Sequence, residues 1–434
     1  MHSRYILRSF VLTAAFVLAL PVVASAQTSR VEGMALQGDY IKDYTNIYTF
    51  PTCLPMIGNM VYGELGNNLV DPVSGHPSTL DRSVGVVMDK LFGGNWGTWG
   101  IHLREQTANL GQGDAFSNPG PGQGADPNEH LNESFDVMWG KKIGTTTVGL
   151  RLNRSFAKFE SKLAGVTTLL ESDVTAFGGA PSVGAASNAN LARNILGVGG
   201  GVGFQMNPNT NVELSLLYQN RKYEHSVSPG GPKFQDDGPA TYMFAGRAMW
   251  QWQPSVMVVP VFKYYSFDLS QKQTIGAATA NYNNSFKGWQ IGVAGNWTVS
   301  TNDLLVMGVT FANNKLEQQN DVFGLGLPDT AKVTENLYPQ LFAALETHVN
   351  HWLTLRFGAN KGAYQKIKLD DETAGGGTSE LTFASFNMNI GAGVKVGSLQ
   401  LDAILSNDFP QNMGWIGSGI SKSYFPKVTA TYPF

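Results

Sequence analysis

From Gly58 to the C-terminus the chain alternates apolar and polar positions with a period of two. Thr241–Trp252 sets Tyr242, Phe244, Gly246, Ala248, Trp250 and Trp252 against Met243, Ala245, Arg247, Met249 and Gln251. Lys287–Thr298 repeats the pattern with Trp289, Ile291, Val293, Gly295 and Trp297, and shorter runs such as Leu399-Leu401-Ala403-Leu405 follow it. Successive side chains of a strand point to opposite faces, so each run predicts a strand with one apolar and one mixed face. With their flanks, the runs reach the roughly 9–11 residues that a tilted strand needs to cross a bilayer.

The connections alternate too. Short turns fall near Gly93–Gly94, Lys142–Gly144, Asn207–Thr210, Gln253–Ser255, Ser300–Asp303, His348–His351 and Gly397–Ser398. Between them lie the longer segments Asn67–Leu80, Asn109–Asn132, Glu160–Ala192, Glu224–Ala240, Ser270–Phe286, Glu317–Asn336, Ile367–Glu380 and Pro410–Ser421. Seven short and eight long connections imply sixteen strands. The expected fold is all-β: a closed antiparallel up-and-down transmembrane β-barrel over residues 58–434, with short turns at one rim and long loops at the other. Trp96, Trp99, Trp139, Trp250, Trp252, Trp297 and Trp352 all lie within a few residues of a short turn. Indole favours the headgroup boundary, so this clustering predicts an interfacial girdle.

Composition fits this reading. The chain holds 50 Gly, 24 Phe, 15 Tyr and 9 Trp with 15% charged residues, and its formal charge of −3 gives no case for a nucleic-acid partner. Its single Cys53 excludes an internal disulfide. At the N-terminus His2, Arg4 and Arg8 precede an apolar core, Phe10–Leu20, and the small residues Ala24-Ser25-Ala26. Residues 1–26 therefore read as a secretory signal peptide. Residues 27–57, broken by Gly33, Gly38, Pro51 and Pro55, read as a periplasmic or lumen-plugging segment.

Two stretches carry resemblances. Val428, Ala430, Tyr432 and Phe434 share one face of the last strand, and this ending resembles the C-terminal assembly signal of Gram-negative outer-membrane β-barrels. That resemblance implies outer-membrane localisation, with lipid and the barrel-assembly machinery as partners, and makes Tyr432 and Phe434 the recognition residues. In the N-terminal segment Asp43, Ile47, Tyr48, Pro51 and Leu54 resemble the hatch of the FadL-type long-chain fatty acid transporters. Phe50 and Thr52 depart from its Asn-Pro-Ala motif. This second resemblance implies a partial plug inside the barrel, and fourteen strands as the alternative count.

Candidate chemistry is confined to the lumen. Arg151, Arg247, Lys263 and Arg356 fall on the polar face of their strands, several residues from the short turns. They form a candidate basic ring that would favour small anions; the alternative is wall ion pairs that hold a loop or hatch. Gly197, Gly199, Gly201 and Gly203 share one face of a strand and would leave room for an inward element. His348 and His351 flank a tight turn and lack the spacing of a helical zinc site, and no Ser/His/acid set or G-x-S-x-G is present. No enzyme activity, metal or cofactor is expected. The leading functional expectation is a porin-like channel for passive passage of small solutes. The alternatives are a FadL-like transporter of hydrophobic compounds and a non-conducting structural or assembly barrel. Oligomeric state stays open, a homo-oligomer included.

Overall fold

The structure, a computed structural model, describes residues 29–66, 81–89, 91, 95–104, 133–161, 188–228, 233–238, 241–268, 270–300, 303–321, 328–371, 377–406 and 427–434. The signal-peptide reading of residues 1–26 and most of the long Glu160–Ala192 connection lie outside them.

The described residues form eighteen strands. They are β1 (Met60–Gly66), β2 (Asp81–Met88), β3 (Thr98–Arg104), β4 (Glu133–Ile143), β5 (Thr146–Ser161) and β6 (Asn188–Asn207). Next come β7 (Thr210–Ser228), β8 (Lys233–Asp236), β9 (Thr241–Gln253), β10 (Val256–Asp268), β11 (Gln271–Ile275) and β12 (Ala278–Ser300). The last are β13 (Asp303–Asp321), β14 (Pro328–His348), β15 (Leu353–Asp371), β16 (Thr378–Val396), β17 (Leu399–Ser406) and β18 (Lys427–Pro433). Short β8 and β11 pair with each other, and also with β7 and β12 respectively, beyond the main wall. The other strands form a closed sixteen-stranded antiparallel barrel, so the count is sixteen rather than fourteen. Closure joins β1 to both β2 and β18, with Met60 opposite Pro433 and Gly66 opposite Lys427. Full pairing removes the open edge that a terminal apolar strand would otherwise expose.

The expected short turns fall between consecutive paired strands of this barrel, and Gly93–Gly94 itself, between paired β2 and β3, lies outside the described residues. Several expected long connections are shorter than their sequence implies, because the strands run on into them. The β12–β13 ladder continues to Tyr282 opposite Asn320, and β13–β14 to Asp321 opposite Pro328. Those extensions mix many polar residues with few apolar ones, so they carry no regular hydrophobic period. Their backbone groups are nevertheless paired through the ladder, which is what a strand requires in water.

The two faces are sorted as an inverted protein. Outward positions carry Leu150, Leu152, Leu214, Leu216, Phe244, Trp250, Ile291, Val293 and Leu341, all exposed. Tyr432 and Phe434 are also exposed, at the end of the closing strand. Inward positions carry Asp136, Arg151, Glu213, Arg247, Lys263, Glu346, Arg356 and Asp402, all buried. Among the described residues no helix is long and apolar enough to cross a membrane; strands with an apolar outer belt make the crossing.

What buries the inward residues is the N-terminal segment. It comprises the short helix α1 (Ser29–Gly33) and three 3-10 turns at Gly38–Tyr40, Tyr44–Tyr48 and Pro51–Met56. It lies inside the barrel, with α1 against β15–β18 and the Pro51–Met56 turn against β3–β6. Val31, Met34, Leu36, Tyr40 and Ile41 form one apolar cluster with Val259, Val261, Ala294, Val306, Phe342 and Ala344 of the wall. Ile47, Tyr48, Phe50, Cys53 and Leu54 form a second with Tyr62, Val87, Met138 and Ala245. The wall is cut away where the segment passes. A methyl group at Gly358 would collide with the carbonyl of Met34, and one at Gly149 with the backbone of Pro51.

Candidate functional site: the lumen and its N-terminal segment

The segment folds locally through its own polar residues. Asp43 caps the Tyr44–Tyr48 turn: its Oδ1 accepts from the Thr45 N–H at 3.0 Å and the Thr45 hydroxyl at 2.6 Å. Asn46 Oδ1 accepts the Asp43 N–H in return at 3.0 Å. Reciprocal capping of this kind satisfies donors that a short helical turn leaves orphaned. Pro51 begins the next turn, where its missing N–H costs nothing. Of the hatch-like residues, Asp43 is therefore a cap, Ile47, Tyr48 and Leu54 are core, and Pro51 is a turn start lying against Gly149.

Around the segment, the four inward bases are arranged as a socket. Arg247 Nε donates to Glu213 Oε2 at 2.7 Å, Nη1 to the Asp39 carbonyl at 3.0 Å and Nη2 to Cys53 Sγ at 3.0 Å. Its guanidinium also covers the Phe50 ring at 4.5 Å. Glu213 in turn accepts from the Thr52 hydroxyl at 2.9 Å and the Cys53 thiol at 3.1 Å. Lys263 Nζ lies 2.5 Å from Asp39 Oδ2. Arg356 pairs with both Glu346 and Asp402, at 2.7 Å each, and Glu346 receives Arg30 of the segment through two bonds of 2.8 Å. Arg151 pairs with Asp136 and donates to the Tyr48 carbonyl at 2.7 Å. None of the four faces open water. Each is turned toward an acid, toward the segment, or both.

Three further sets of interactions were outside the reach of sequence reasoning because they depend on strand register. The Tyr48 hydroxyl meets His102 Nδ1 at 2.6 Å and the Tyr62 hydroxyl at 3.1 Å. Lys427 Nζ stands 3.6 Å from both Glu32 and Glu64. Asn296, Asn360 and Asn389 donate to the carbonyls of Tyr40, Ala35 and Glu32. The wall asparagines thus satisfy segment backbone that lies away from any ladder.

Burial sets the protonation of the segment's own groups. It pushes the Tyr40 phenol up to about 12, and it raises the Tyr44 and Tyr48 phenols well above their ordinary range. Burial also raises the Cys53 thiol, and the neighbouring Glu213 carboxylate raises it further. Burial raises the Glu32 carboxyl above its ordinary value of 4.5 against the pull of Lys427. For Arg30 burial works against the charge, but Glu346 and Asp43 outweigh it and the guanidinium is held more firmly protonated.

Directly beyond the socket the inner face changes character. Inward positions of β10 read Val259, Val261, Lys263, Tyr265 and Phe267: two apolar residues under the segment, the base that holds Asp39, then two aromatics toward the long-loop rim. Tyr265, Phe267 and Phe286 stack on one another with centroids 5.5, 5.7 and 5.6 Å apart. Leu217 and Met243 complete the cluster, and the Tyr265 hydroxyl is satisfied by Asn314. The signal was present in sequence, since Tyr265 and Phe267 share the parity of Lys263. At the opposite, short-turn rim a cavity of about 700 Å³ opens between segment and wall, lined among others by Lys42, Pro55, Thr98, Asn209, Glu213 and Gln251. Among the described residues no group of three metal-ligating side chains occurs.

No protein-family model matches the chain, and a search of curated proteins finds no match. Among solved structures, a Pseudomonas aeruginosa FadL homologue aligns over 94% of this chain and 98% of its own at 10% identity and a TM-score of 0.43. The CymD monoaromatic hydrocarbon channel aligns over 94% and 97% at 11% identity and a TM-score of 0.40. The Ralstonia pickettii toluene transporter TbuX aligns over 94% and 98% at 10% identity and a TM-score of 0.39. These are structures to which the chain is similar in outline, at scores too low to carry more.

Proposed function

We propose that the chain is an outer-membrane transporter that admits small hydrophobic, ring-bearing solutes through a lumen gated by its N-terminal segment. The observation that carries this reading is the segment itself. Residues 29–57 occupy the lumen with two apolar clusters and a set of buried charge contacts. A permanently open aqueous pore has no use for such an element, so the arrangement favours the gated alternative over the porin-like one. The aromatic cluster of Tyr265, Phe267 and Phe286 lies where a solute arriving from the long-loop side would meet the plug. Stacked rings present apolar faces that attract a flat hydrocarbon more than a hydrated ion. The polar cavity at the short-turn rim provides an exit toward the periplasm once the segment shifts.

Two measurements on the purified protein test this. In planar bilayers the intact chain is expected to show little steady conductance. In proteoliposomes it is expected to speed uptake of an aromatic hydrocarbon over empty vesicles, and Phe267→Ser with Phe286→Ser to remove most of that gain. A large, steady ionic conductance with no hydrocarbon uptake would return the reading to a passive porin.

A further inference from the structure

On β12, β13 and β15 the outer face carries lysines at a level set by the barrel itself. Ile143, Met206, Val299 and Val396 are exposed, apolar and outward at the short turns, so that rim sits at one edge of the hydrocarbon. On β12 the outward positions run Val299, Trp297, Gly295, Val293, Ile291 and Trp289 and then change to Lys287. Lys287 on β12, Lys315 on β13 and Lys366 on β15 each lie about a dozen residues from their short turns. At about 3.3 Å per residue and a tilt near 40°, that is about 30 Å along the barrel axis, the thickness of the hydrocarbon core. The three lysines therefore stand at the far headgroup boundary.

Lys287 is directly opposite Lys315 across the β12–β13 ladder, and like charges so placed repel. Acids occur one step further from the membrane. Glu317 is 3.2 Å from Lys315 Nζ, and Glu380 is 2.9 Å from Lys366 Nζ. Lys287 is exposed and has no acidic partner among the described residues. Lys361, also outward and exposed, lies somewhat lower on β15, and its stem is long enough to bring its ammonium up to the same row. The row at the boundary is thus basic, while one step further out acids and bases alternate, with Lys332 opposite Glu317 and Lys368 opposite Glu380.

We infer that this row binds the phosphate groups of an anionic glycolipid in the outer leaflet, with Lys287 and Lys315 clasping one phosphate between them. An anion between the two ammonium groups turns a repulsive cross-strand pair into an attractive triplet. Phosphates of a bilayer lie at this depth, whereas free phosphate has no reason to be held at a flat wall. The inference rests on the outer-membrane location and orientation of the proposed reading and not on its transport, which the test below does not measure.

Native mass spectrometry of the full chain in detergent, titrated with synthetic diphosphorylated lipid A, provides that test. Lys287→Gln with Lys315→Gln should weaken binding by about tenfold or more, since each lysine near an anionic surface contributes several-fold. Lys141→Gln with Lys142→Gln, at the opposite rim, should leave it unchanged. The dephosphorylated glycolipid should bind poorly, and inorganic phosphate should not displace the intact one. Heat-modifiable migration checks that each variant is folded, and Lys287→Gln alone replaces the pair if the pair does not fold. Unchanged binding by the folded variant, equal binding of the dephosphorylated lipid, or displacement by inorganic phosphate each overturns the inference.

Discussion

At the scale of single residues, Arg247 ties the segment to the wall more than any other side chain. It reaches Glu213, the Asp39 carbonyl, the Cys53 sulfur and the Phe50 ring at once. Removing one partner of a buried ion pair strands the other, at a cost of about 3–5 kcal/mol. Arg247→Ala strands the wall residue Glu213 for as long as the docked segment keeps it buried, so it should loosen the segment while the ladder of β9 stays intact. Cys53 reports on it. Its thiol is buried and its pKa raised by that burial, and only the thiolate reacts. Maleimide labelling of Cys53 should be slow in the intact protein and many-fold faster in Arg247→Ala; equal rates would mean that Arg247 does not hold the segment. Glu32 gives a pH dependence of opposite sense to the usual carboxylate. Burial raises its pKa above 4.5, with Glu64 adding and Lys427 opposing, so the docked form binds the proton more tightly than the free segment. Its contribution to docking is present at low pH and is lost as pH rises from about 4.5 through the raised value. Glu32→Gln should flatten that part of the pH profile of Cys53 labelling, and an unchanged profile would count against it.

At the scale of elements, the wall strands and the segment fit by subtraction. Gly358 on β15 and Gly149 on β5 lie against the backbones of Met34 and Pro51, and Gly33 and Gly391 approach each other backbone to backbone. Gly358→Val should expel the α1 end of the segment without disturbing the outward, lipid-facing side of β15. Limited proteolysis then cuts within residues 29–57 while the barrel keeps its heat-modifiable migration; a segment as protected as in the parent would show that the fit is not that close. This also marks where the sequence was readable. Alternation at Lys287–Thr298 announces a strand because lipid on one side and the lumen on the other impose opposite chemistry on neighbouring residues. Ala278–Phe286 belongs to the same strand, but its sequence mixes polar residues with scattered apolar ones, and the alternation of Lys287–Thr298 does not continue through it. The run Gly197, Gly199, Gly201 and Gly203 on β6 signalled space on the inner face, and Thr52 lies against Gly201 and Gly203. Which residues would fill that space could not be read. Contacts such as Tyr48 with His102, or Arg30 with Glu346, join positions whose proximity is fixed by stagger around the barrel and not by any local pattern.

At the scale of the whole molecule, charge is balanced between plug and wall, and removing the plug should reveal the imbalance. The segment brings Glu32, Asp39 and Asp43 against Arg30 and Lys42, a net contribution of about one negative charge at neutral pH. Deleting residues 29–57 separates Lys263 from Asp39 and Lys427 from Glu32, and it frees Arg151 and Arg247 from the carbonyls they hold. These groups would then face water in a confined space whose low-dielectric wall focuses their field. The truncated protein should conduct steadily where the intact one does not, and with a modest preference for anions at low salt. That preference should fade as the screening length falls below about 10 Å near 0.1 M salt and be reduced when Arg247 and Lys263 become Gln. Glu213, Glu346 and Asp402 remain on the wall to pair with Arg247 and Arg356, which is why the preference should be modest and not absolute. Reversal potentials under a salt gradient measure it directly. Cation preference in the truncated protein would show that the wall acids, not the bases, dominate the emptied lumen, and an unchanged closed state would show that something other than residues 29–57 seals it.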